Sequence, residues 1–146
     1  MRTAHGISKD DWNEVIDLAA KIANAASAED EALGQLLTTR LLRILDALER
    51  KYGKLPPILA TRADYIDDAR EKIALFEEAW RIAKDREDRF NLVLIASSLA
   101  ELHIEELNDT SSGARWLARL EEALENHWDD GEYQELQRLR KLMEPG

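Results

Sequence analysis

Almost nothing in this chain interrupts a helix. Its 146 residues hold six glycines and three prolines, and apolar residues recur three and four positions apart from Trp12 to Met143. That spacing lays a stripe along one helix face, whereas a half-buried strand needs strict alternation. No stretch of strand length alternates. The chain is therefore expected to be all-α, with about seven antiparallel helices in a single domain spanning 1–146.

The breakers place the helices. Segment one covers about 10–26, started by a capping-box-like Ser8 and Asp11. Segment two covers about 29–52, with Ser27 and Asp30 marking its start and Gly53 its end. Together they form an N-terminal hairpin, 10–53. The only proline pair, Pro56-Pro57, suits the first turn of a short third segment, 57–66. Segment four covers 69–84. Segment five covers 89–107, is apolar almost all round, and is expected to be the central buried helix. A polar loop at 108–113 leads to segment six, 114–128. Segment seven, 132–143, turns Leu136, Leu139 and Met143 inward as a C-terminal cap.

Two segments end alike. Phe76-Glu77-Glu78-Ala79-Trp80 aligns with Leu120-Glu121-Glu122-Ala123-Leu124 at an offset of 44 residues, which also sets Ile73 on Leu117. Leu99, Ala100 and His103, and before them Leu59 and Ala60, keep the spacing of a matching first helix. A weaker third unit pairs Leu18-Ala19 with Ile44 and Ala47. The pattern resembles the tetratricopeptide repeat (TPR). Pro56 and Ala96 stand where that repeat carries Trp, Lys72 and Trp116 where its second helix carries Ala, and no proline closes either unit. The resemblance implies two TPR-like helix pairs over 56–126, stacked into a superhelix with segment seven as its cap. It also implies a protein-binding groove, which Arg62, Arg89 and Asn91 would face.

Charge narrows the partner. The net charge is −10; residues 1–53 hold nine acids and seven bases, and residues 54–146 hold twenty-one and thirteen. No basic stripe exists to neutralise phosphates, so a nucleic-acid ligand is not expected. No apolar run approaches the ~18 residues of a membrane span. The absence of cysteine excludes a thiolate metal site and a cysteine nucleophile. The first ten residues carry Arg2, His5 and Lys9 without an apolar stretch, so a cytoplasmic location is expected rather than secretion.

Catalytic signatures are weak. His103 is best read as a partly buried histidine satisfied by a neighbouring helix, because Leu99 and Leu107 occupy the positions a second metal ligand would need. Acid pairs at helical spacing (Glu14 with Asp17, Asp85 with Asp88, Glu122 with Glu125, Glu132 with Glu135) read as solvated faces beside Lys and Arg. A metal-dependent hydrolase built on them is the least favoured reading. Core packing is expected for all four tryptophans, Trp12, Trp80, Trp116 and Trp128, with Trp12 and Trp128, near helix ends, as alternative partner anchors.

The leading expectation is a non-enzymatic protein-binding module, with no cofactor and no metal, that steers a basic protein or peptide onto an acidic surface. The candidate contributors are Asp64, Asp67, Asp68, Glu101, Glu105 and Asp109. A bacterial immunity protein that neutralises a toxin is the alternative. A homodimer is a further expectation, since short helical arrays leave apolar ends.

Overall fold

The computed structural model describes residues 6–145, so the expectations on Arg2 and His5 lie outside the described residues. Among the described residues there are seven α-helices and no strand. They are α1 (Lys9–Ser27), α2 (Glu31–Tyr52), α3 (Pro56–Asp64), α4 (Ala69–Asp85), α5 (Arg89–Glu101), α6 (Thr110–Asn126) and α7 (Asp130–Leu142). A π-helical turn, Leu102–Glu106, extends α5. No helix among them is long and apolar enough to cross a membrane.

Local signals placed most helix ends. Ser8 caps α1 by accepting the Asp11 N–H, and Pro56 and Pro57 open α3. Gly53 closes α2 at φ +85°, a region an L side chain enters only at a cost. Ser27, by contrast, does not cap α2; it is the last residue of α1, and Asp30 is the cap.

The reason is a turn the chain uses twice. After α1, Glu29 takes φ +56°, the Asp30 N–H reaches back to the Ala25 carbonyl at 2.9 Å, and the Asp30 carboxylate accepts the Leu33 N–H. After α4, Glu87 (φ +53°), Asp88 and Ala83 repeat these contacts, with Asn91 in the place of Leu33. One left-handed residue thus ends the first helix and delivers an aspartate to start the next. A third version follows the π-helical turn, with Asn108 at φ +51° and Asp109 capping α6 through Ser112. There the back bond runs from the Asp109 N–H to His103, six residues instead of five, because the π turn holds one residue more. Helix α6 accordingly starts at Thr110, inside the stretch 108–113 expected to be loop, and segment five is not α-helical to its end.

A left-handed glutamate costs roughly 1 kcal/mol that glycine avoids. Glu87→Gly should therefore raise the thermal midpoint by a few degrees for a gain of up to about 1 kcal/mol. A midpoint unchanged or lowered in thermal unfolding followed by circular dichroism would count against this account of the turn.

Packing is strongest within α1/α2, α3/α4 and α5/α6. Helix α5 also meets α3, α4 and α7, as expected of a central element, and α7 lies against α5 and α6 with Leu136 and Leu139 buried. Leu142, by contrast, is exposed. Small residues occupy the seams: Ala60 and Ala63 of α3, Ala79 and Ala83 of α4, and Ala96 and Ala100 of α5 are all fully buried. Trp12 is buried; Trp116 packs edge-on against Trp80 with ring centroids 5.3 Å apart.

The buried residues form two clusters rather than one. The first joins α1 and α2 with Leu55 and Ile58; the second begins at Leu59 and runs through α3 to α7. Arg62 of α3 clamps the joint by donating to Asp46 at 2.6 Å and to Glu49 at 3.5 Å, both on the C-terminal half of α2. Towards the turn at Ala28–Asp30 the first half of α2 and the α3–α4 loop diverge, leaving open concave space between them.

Candidate functional site

That divergence opens a groove of about 1390 Å³. One bank is the α1–α2 turn and the first half of α2; the other is the α3–α4 loop. Ile22 and Ala25 of α1, Leu42 of α2 and Ile66 of the loop give it apolar surface. Among the described residues, Glu29, Asp30 and Glu31 stand on the first bank and Asp64 and Asp67 on the second, against one base, Lys72. Gln35, Thr38 and Thr39 add uncharged polar groups along α2. A concave site between two cores, with apolar lining and converging charge of one sign, is where a ligand or partner is expected to sit.

The six acids read from the sequence do not form one site. Asp64 and Asp67 line the groove, and Asp68 lies at its edge, capping α4 by accepting the Arg70 and Glu71 N–H groups. Glu101 and Glu105 sit apart, beside a smaller cleft of about 470 Å³ between α5 and α7. Arg138 bridges Glu135 and Glu105 there. Partial burial, then the charges of Glu135 and Glu105, hold the Glu101 carboxyl above its ordinary range. Asp109 is engaged structurally: the Ser112 N–H and hydroxyl that it accepts hold its carboxyl below the usual carboxylate range.

Other expectations are revised. His103 is 7% exposed, yet its Nδ1 has no hydrogen bond among the described residues, and the nearest carboxylate, Asp109 at 4.0 Å, comes from the loop after it, not from a neighbouring helix. Arg62 is committed to the α2 clamp, and Asn91 is fully buried and donates to Asp88 at 2.7 Å, so neither lines a groove. Trp128 lies beyond the end of α6, 59% exposed, its indole N–H held by Asp130 and its ring 4.8 Å from that of Tyr133. Among the described residues, no three His, Asp or Glu side chains converge as a metal site requires.

The first bank of the groove, Glu29 to Glu31, was not anticipated from the sequence. Charge counting drew attention to residues 54–146, but the groove takes three of its five acids from the less acidic N-terminal hairpin. No family model matches the chain, and comparisons with curated proteins and with solved structures gave no match.

Proposed function

We infer that this protein is a non-enzymatic binding module whose groove between the α1–α2 hairpin and the α3–α4 loop takes a basic protein or peptide. The observation that carries the reading is the charge and shape of that groove: among the described residues five carboxylates and one lysine line it, with apolar surface from Ile22, Ala25, Leu42 and Ile66 between them. Focused negative potential accelerates encounter with a cationic partner, and the apolar surface beneath supplies the burial that holds it. The cleft at Glu101 and Glu105 supports the reading less, because Glu105 and Glu135 are engaged there by Arg138.

The test is a titration with a fluorescent lysine-rich amphipathic peptide, read by anisotropy at low and moderate salt. Removing three rim charges by Glu29→Gln, Glu31→Gln and Asp67→Asn leaves the Asp30 cap intact and should weaken binding by roughly tenfold or more. A control with Glu14→Gln, Glu122→Gln and Glu125→Gln, which changes net charge equally on α1 and α6, should bind within about twofold of the parent. Equal weakening in both variants would reduce the interaction to overall charge and sink the groove reading.

A further inference from the structure

Gly34 stands one turn inside α2 and faces the groove. A side chain built there would meet nothing within 4 Å, and the backbone is ordinary right-handed helix. Neither conformation nor packing among the described residues calls for glycine, yet glycine weakens a helix relative to alanine. What the missing side chain does is leave a notch in the α2 wall, flanked by Glu31, Gln35 and Thr38. Such notches let a second helix approach more closely than the usual 8–10 Å between axes.

Resting on the acidic-groove reading, we propose that the occupant is an α-helix of a basic partner that crosses α2 at Gly34. Its Lys and Arg side chains reach Glu29 and Glu31 on one bank and Asp67 on the other. The size fits. A cylinder 10 Å across with the volume of the groove is about 18 Å long, roughly twelve helical residues. The backbone chemistry fits as well. Two walls, α1 and α2, have their main-chain groups paired internally, so they offer no sheet edge to an extended strand. A helix brings its own hydrogen bonds and needs from the groove only side-chain contacts and charge.

The experiment uses the full chain and two labelled 18-residue peptides of Lys, Leu and Ala with identical composition. One is all-L and helix-forming; the other carries D-residues at two central positions, which break the helix without changing charge. The all-L peptide should bind roughly tenfold tighter or better. Gly34→Leu should weaken it by about tenfold, and Gly34→Ala by a few-fold, while both variants keep or raise the thermal midpoint because each favours the helix. Equal affinity for the two peptides, or a Gly34→Leu variant that binds as the parent does, overturns the helix proposal. If the Glu29→Gln, Glu31→Gln, Asp67→Asn variant still weakens binding in that case, the acidic groove stands and its occupant is extended. If neither the charge nor the Gly34 variants change binding, or the peptide does not bind, both readings fall. Self-association that is seen by sedimentation without peptide and is lost in Gly34→Leu would assign the groove to a second copy and also overturn the proposal.

Discussion

Leu41→Ala and Leu99→Ala should each cost about 3 kcal/mol and leave different footprints in amide exchange. Both side chains are fully buried, and truncating such a leucine removes transfer free energy and leaves a cavity. Leu41 belongs to the cluster of α1 and α2, and Leu99 to the larger one of α3 to α7. The hairpin touches the rest of the molecule chiefly through α3, at Ile58 and the Arg62 clamp. An element attached so narrowly opens at lower free energy than the whole. Leu41→Ala should therefore speed exchange in α1 and α2 while α5 and α6 stay protected. Leu99→Ala should speed exchange everywhere, since a two-helix hairpin without its support does not persist. Uniform acceleration in the Leu41→Ala protein, measured by hydrogen–deuterium exchange under native conditions, would show one cooperative unit and refute the two-core account.

The same division explains which parts of the structure were legible in the sequence. Helix identity, the Ser8 cap, the Gly53 stop and the Pro56-Pro57 start depend on a few neighbouring residues, and each was readable. The turns at Glu29 and Glu87 were not, because glutamate gives no sign that it will take a left-handed conformation. Ser27 looked like a cap for the same reason; the true stop lay two residues further on. The core assignments of Trp12, Trp116 and Leu136 followed from periodicity and stand buried.

The groove lies on a different link of the chain from sequence to function. It is lined by elements far apart in the sequence, the first half of α2 and the α3–α4 loop, which tertiary packing rather than any local pattern brings together. Asp64 and Asp67 were picked out by charge alone, while their counterparts Glu29 and Glu31 sit more than thirty residues upstream in a segment of nearly balanced charge. Gly34 was the one local signal, a glycine inside an otherwise regular amphipathic helix.

A second glycine makes the opposite case, and its substitution is the other large effect. Gly113 was expected in a polar loop but lies within α6, directly over the π-helical turn. The extra residue of that turn carries Ile104 towards α6, so a side chain at Gly113 would sit 2.5 Å from the Ile104 Cγ1 atom. At an open helical site, glycine to alanine gains up to about 1 kcal/mol, as Gly34→Ala should. At Gly113 the overlap forces the isoleucine or the turn to move, and overpacking of this kind costs about 1–3 kcal/mol. Gly113→Ala is therefore expected to lose about 1 kcal/mol net, a change opposite in sign to that at Gly34. Ile104→Ala alone should lose more, about 2–3 kcal/mol, because it empties a buried position. The two losses are not independent: removing Cγ1 vacates the space that the alanine methyl would enter. The double variant should be more stable than the sum of the singles predicts by about 1 kcal/mol or more, read from urea unfolding of all four proteins. Strict additivity would mean that the turn yields at no cost, and that close contact with the π-helical turn is not what keeps glycine at this position.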